Sequence, residues 1–156
     1  MKQIFIFFIF LSTLLYSEEL KIKADSFESN ENNKVSVFKG NVHIKKGFDE
    51  IRSNKLTIYT DKNRNPIKFI AQGDVFFKIQ DESEKKYQGK AQKVVYEPNK
   101  KIYKFYVNVF LESLEDKREI EGDEVVFNAV TGKAHAKGVN GNPVIMTFDI
   151  KDKKEK

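Results

Sequence analysis

One pattern recurs along the chain at a nearly fixed spacing, and a recurring unit restricts the fold more than any composition does. Aligned at its centre, the first copy reads Phe38-x-Gly40-Asn41-Val42-x-Ile44, the second Ala71-x-Gly73-Asp74-Val75-x-Phe77, and the third Phe105-x-Val107-Asn108-Val109-x-Leu111. The central valines stand at 42, 75 and 109, steps of 33 and 34. Each copy alternates apolar and polar residues as a half-buried strand does. Each is also interrupted by Gly, Asn or Asp, residues that strands disfavour.

A second strand type alternates with the first. It opens on a small residue followed by Asp, Asn or Gln, and reaches an apolar residue three positions after the small one. The copies are Ala24-Asp25-Ser26-Phe27, Ser53-Asn54-Lys55-Leu56, Ala91-Gln92-Lys93-Val94 and Gly122-Asp123-Glu124-Val125. The last three continue to Ile58, Tyr96 and Phe127. Between the segments lie clusters with turn chemistry: 28–34, 45–50, 61–66, 81–86, 97–101, 114–119, 128–133 and 139–143. Many short strands joined by short turns predict an all-β antiparallel protein built from repeated hairpins. Fourteen Phe and six Tyr supply its apolar faces. One hairpin cannot bury such a face, whereas stacked hairpins share a continuous one.

Strand parity locates that face, because side chains two apart point the same way. Phe38, Gly40, Val42 and Ile44 fall on one side, as do Phe69, Ala71, Gly73, Val75, Phe77 and Ile79, and then Phe105, Val107, Val109 and Leu111. Lys39, Asn41, His43, Lys45, Gln72, Asp74 and Lys78 fall on the other, where Phe76 and Phe110 break the polar run. Two readings of the repeated glycine follow. It marks a bulge that bends a long strand, or it leaves room on the inward face at the same level of adjacent repeats.

The ends set the compartment. Lys2 precedes an apolar run from Ile4 to Tyr16, and Ser17 offers a small residue before Glu18. That run rises roughly 20 Å as a helix, short of the ~30 Å core of a bilayer, so residues 1–17 read as a cleaved signal peptide and a retained anchor is the alternative. Residues 18–150 form the domain, and 151–156 a disordered basic tail. The chain has no cysteine, which excludes a disulfide framework, a thiolate metal site and a lipid-modified cysteine. An exported cysteine-free domain fits the bacterial periplasm. Its 28 basic and 23 acidic residues are interspersed, unlike a nucleic-acid arm, although exposed lysines suit an anionic ligand. His43 and His135 are isolated, carboxylate pairs fall in turns, and no catalytic or phosphate-binding motif occurs. The sequence therefore predicts no catalytic residue, no metal site, no cofactor and no nucleic-acid partner.

The ordered segments "KADSF", "VFKGNVHIKKG", "IRSNKLTIY", "FIAQGDVFF", "YQGKAQKVVY" and "IEGDEVVFN" together resemble the LptA/OstA-like family of lipopolysaccharide-transport proteins over about residues 20–140. The resemblance implies an incompletely closed antiparallel β-jellyroll with an open apolar groove, and a periplasmic protein that shields the acyl chains of lipid A. It implies head-to-tail self-association through the sheet edges, near Leu20–Phe27 and Ala134–Ile150, and inner- and outer-membrane partners of related fold. Val107 departs from the repeated glycine, and "NPVIMTFDI" matches the family's usual ending poorly. On this reading Phe38, Val42, Ile44, Ile58, Phe77, Tyr96, Phe105, Leu111 and Phe127 line the lipid path. A membrane-anchored relative of the same fold, or a β-filament scaffold without lipid cargo, are the alternatives.

Overall fold

The computed structural model describes residues 18–150; the signal peptide and basic tail expected from the sequence lie outside them. Among the described residues every regular element is a strand: β1 (Lys21–Lys23), β2 (Ser26–Asn30), β3 (Val35–Lys46), β4 (Asp49–Thr60), β5 (Pro66–Gln80), β6 (Lys86–Glu97), β7 (Ile102–Ser113), β8 (Glu119–Asn128), β9 (Lys133–Lys137) and β10 (Ile145–Thr147). All ten join one antiparallel sheet in which β3 to β8 follow each other in sequence order. At one edge β1 and β2 share β3, and at the other β9 and β10 share β8, so the sheet is not closed into a barrel.

The turn clusters do the work their residues predict. Gly47 takes a φ of 57° in the two-residue connection between β3 and β4, a conformation glycine adopts without steric cost. Asp61 accepts the amides of Asn63 and Asn65 at 2.8 and 2.9 Å. Asp81 repeats the arrangement with Ser83 and Lys85 at 2.9 and 3.0 Å. In both, a carboxylate replaces the ladder partners that the turning backbone has lost.

The repeated Gly-Asn, Gly-Asp and Val-Asn pairs are β-bulges. Lys39 pairs with Lys55 and Val42 with Ser53, so Gly40 and Asn41 together oppose the single residue Asn54. Gly73 and Asp74 oppose Gln92, and Val107 and Asn108 oppose Asp123, in the same way. Both residues of each pair have positive φ: 78° and 47°, 82° and 45°, 65° and 51°. The bulges lie at one level of successive hairpins and form a seam across the sheet. On either side of it the inward face changes phase, since Ser53 and Leu56 are three apart yet both buried.

The seam corrects one expectation. Gly40, Gly73 and Val107 do not leave space on the inward face. A Cβ on Gly73 would meet Asn54 Nδ2 at 2.7 Å, and one on Gly40 would strike the Asp25 carboxylate. Val107 is 52% exposed. Left-handed backbone turns these positions toward the polar side chain of the neighbouring strand, which simple two-residue parity does not anticipate. The polar residues there bond along the seam: Asn41 donates to Asp25 at 2.8 Å and Gln92 to Asp74 at 3.2 Å. Asp123 accepts the Val139 amide and the Asn142 side chain, at 2.8 and 3.1 Å.

Bending at the seam folds the sheet over its own apolar face. The Tyr103 hydroxyl, at one end of the strands, donates to Asp49 at the other end at 3.3 Å. The Glu82 amide reaches the Ala129 carbonyl at 2.8 Å, and Lys101 pairs with Glu82. These bonds bring opposite turns together over β6 to β8.

Candidate functional site

The inner face divides into a filled part and an open part. At the centre Phe77, Phe105 and Phe127 have no solvent exposure. Phe77 stacks on Phe105 with ring centroids 4.3 Å apart, and Tyr87 tilts against Phe127 at 4.7 Å. The Tyr87 hydroxyl donates to Asp81 at 3.1 Å. Burial, with the Asp81 charge adding to it, pushes the phenol up to about 12.

Toward β3, β4 and β5 the face is open. A cavity of about 350 Å³ lies there, within the range of roughly 300–1,000 Å³ typical of small-molecule sites. Two cross-strand rows build its walls. Leu56, Ala71 and Val94 stand opposite one another across β4, β5 and β6. The small methyl of Ala71 between two larger side chains keeps the floor low. Phe69, Tyr96 and Tyr103 form the next row, with Tyr96 stacked on Tyr103 at 4.3 Å. Ile44 and Ile51, paired across β3 and β4, close the far side. Glu18, Leu20, Lys46, Asp49, Glu50, Pro66 and Pro98 complete the lining.

Glu18, Lys46, Asp49 and Glu50 bring charge to the rim of this mainly apolar wall, and Asp49 is the one tied to its inner face. It accepts the Gln80 amide at 2.9 Å and the Tyr103 hydroxyl. Burial raises its pKa nonetheless, outweighing the two bonds that favour the anion. Burial likewise pushes Tyr96 up, and Tyr103 well above the ordinary phenol range. The two phenols are therefore uncharged near neutral pH, which leaves their part of the wall compatible with an apolar ligand.

Of the nine residues read as the lipid path, Ile44 and Tyr96 line the cavity. Val42, Ile58, Phe77, Phe105, Leu111 and Phe127 belong to the buried cluster, and half-buried Phe38 leans on exposed Phe27 with ring centroids 4.8 Å apart. Ile51, Leu56, Phe69, Ala71, Val94 and Tyr103 line the cavity without having been named for it. Phe69 and Ala71 already lay on the inward parity, and Tyr103 sits two residues before inward Phe105. What parity lacked was the phase change at the seam. His43 packs beside Glu50 at 3.0 Å on the outer face, and His135 lies on exposed β9.

A sequence model of the family described as "LptA/(LptD N-terminal domain) LPS transport protein" matches residues 21–133, well over half of the chain. The chain belongs to this family. Among solved structures, LptH of Pseudomonas aeruginosa superposes with a TM-score of 0.75, covering 85% of this chain and 96% of that one at 16% identity. That likeness shows the LptA-like jellyroll fold. LptH is described as the LptA-homologous periplasmic component of the lipopolysaccharide transport device. The LPS-assembly protein LptD of Aliivibrio fischeri is 44% identical over 54 residues, 35% of this chain. That stretch spans only 6% of LptD. The family is one of lipopolysaccharide-transport proteins.

Proposed function

We propose that this protein is a periplasmic lipopolysaccharide-transport component that shelters acyl chains of lipid A against the inner face of its unclosed sheet. The observation that carries this reading is the cavity of about 350 Å³ between Ile44, Ile51, Phe69 and Tyr96, open to solvent yet walled mainly by apolar side chains. Burying apolar chain gains about 0.8 kcal/mol per methylene, so a 12-carbon acyl chain is worth on the order of 10 kcal/mol gross. A sheltered face removes most of the cost of carrying several such chains through water. Repeated hairpins give near-equivalent steps along the sheet, and no single step needs to hold the cargo tightly. Passage beyond the cavity requires the Phe77–Phe105–Phe127 packing to move aside, with Phe38, Val42, Ile58 and Leu111 as the further walls.

The same reading gives the edges a purpose. Phe27 at the N-terminal edge is 61% exposed, and at the other edge Met146 in β10 and Phe148 just after it are 56% and 53% exposed. Unpaired strands flanked by apolar side chains favour addition of strands from another molecule. Head-to-tail copies, with inner- and outer-membrane components of related fold at the two ends, make a bridge. The protein carries out no chemical reaction in this scheme.

The test is native mass spectrometry of the protein purified from cell envelopes in mild detergent. Bound lipopolysaccharide, absent from a Tyr96→Glu variant that keeps its circular-dichroism spectrum, is the expected outcome. Lipid-free protein from both preparations refutes the proposal.

A further inference from the structure

The outer face of the sheet carries an arrangement that lipid carriage on the inner face does not explain. Lys39 stands directly opposite Lys55 across β3 and β4, and neither makes an ion pair among the described residues. Like charges directly opposed in a sheet destabilise it. The row continues through Gln72, Lys93 and Tyr106, and meets a carboxylate only at Glu124 of β8. On the other side of the seam a parallel row runs Arg52, Phe76, Lys90, Phe110 and Glu121, with Arg52 paired to Glu50, and Lys90 making no ion pair among the described residues. Phe76 and Phe110 are the two residues that broke the polar parity in the sequence.

Cations and rings alternate here in contact. The Arg52 guanidinium and the Lys78 ammonium lie 5.9 and 5.8 Å from the Phe76 ring centroid, and the Lys93 ammonium 5.5 Å from that of Tyr106. Between the rows the seam presents side-chain amides on β3, β4, β6 and β7, Asn41, Asn54, Gln92 and Asn108, with Asp74 standing between them on β5. A crevice of about 270 Å³ opens at its β3–β5 end, beside Asn41, Arg52, Asn54 and Asp74. The carboxylates nearby already have partners: Asp25 holds Asn41, Asp74 holds Gln92, and Glu50 holds Arg52.

We infer that this outer seam is a docking surface for a glycan bearing acidic peptide stems, the cell-wall polymer that a periplasmic protein lies among. Unpaired cations meet the carboxylates of its peptide stems, and the amides of Asn54 and Asn108 meet its hydroxyls and acetamido groups, while the rings hold the cations in place. The surface lies on the face of the sheet opposite the cavity. A membrane surface fits less well, because the rings are half-buried beneath cations instead of protruding. The inference takes only the periplasmic location from the proposed function.

The test is co-sedimentation of the full mature chain with purified peptidoglycan sacculi, alongside vesicles of phosphatidylglycerol and competition by deacylated lipopolysaccharide. Wild-type protein is expected to sediment with sacculi at low salt and to be released by salt. The triple variant Lys39→Gln, Lys55→Gln, Lys90→Gln is expected to lower sacculus affinity at least tenfold. Lys55→Gln alone is expected to raise the melting temperature, because it removes the opposed charge, which separates lost docking from lost folding. Failure to sediment with sacculi, affinity of the triple variant within twofold of wild type, a lowered melting temperature for Lys55→Gln, binding to vesicles in place of sacculi, or displacement by deacylated lipopolysaccharide each overturns it. Sacculus binding is read without lipid, so it stands or falls separately from the apolar groove.

Discussion

Replacing Phe77 distinguishes a packed centre from an open channel. Its ring has no solvent exposure and stacks on Phe105 at 4.3 Å, with Gly89 directly opposite on β6. Gly89 accepts no Cβ, which would lie 2.6 Å from the Phe77 Cζ, so the ring fills all the space it is given. Truncation to alanine in such a site costs about 3–5 kcal/mol. A domain of this size holds only about 5–15 kcal/mol in total, so Phe77→Ala sits at the edge of folding. Phe77→Leu keeps most of the volume and is expected to lose roughly 1–2 kcal/mol. Phe69 is half-buried, with one side toward the cavity, and Phe69→Leu is expected to lose less than about 1 kcal/mol. Urea unfolding followed by circular dichroism, with the slope held common, measures both. A Phe77→Leu loss no greater than that of Phe69→Leu refutes the division of the interior into filled and open parts.

Other expected outcomes follow from single contacts. Gly73→Ala places a Cβ at φ 82° and 2.7 Å from Asn54 Nδ2, and is expected to cost about 1–2 kcal/mol by thermal unfolding. Asp123→Ala removes the acceptor for the Val139 amide and Asn142, and is expected to speed hydrogen exchange at Val139 at least tenfold while leaving β4 to β7 amides unchanged. Asp49 has its pKa raised by burial, so the folded state holds its proton more tightly than the unfolded chain does. Its contribution to stability therefore falls as pH rises from the ordinary aspartate value through the raised one. Asp49→Asn is expected to flatten that part of the pH–stability curve, and an unchanged curve contradicts the assignment.

The hairpins were legible because each strand ends where Asn, Asp, Gly or Pro supplies turn geometry, as Asp61 and Asp81 do with their own backbones. The repeat of 33 and 34 residues also carried the seam, since Gly40-Asn41, Gly73-Asp74 and Val107-Asn108 stand at matching levels. What these residues point at was not legible. Two consecutive left-handed residues turn the side chain outward, so Val107 emerges at the surface although alternation places it inside. The cavity was half legible for a related reason. Ile44 and Tyr96 follow from parity alone. Their meeting depends on the sheet folding at the seam, which the Tyr103–Asp49 bond records and local pattern does not.

The most direct measurement of the central claim is photo-crosslinking in living cells with benzoylphenylalanine at position 96, on the cavity wall, and at position 106, on the outer face. The account expects lipopolysaccharide adducts from position 96 and none from position 106. Equal capture at both, or adducts from 106 alone, contradicts it.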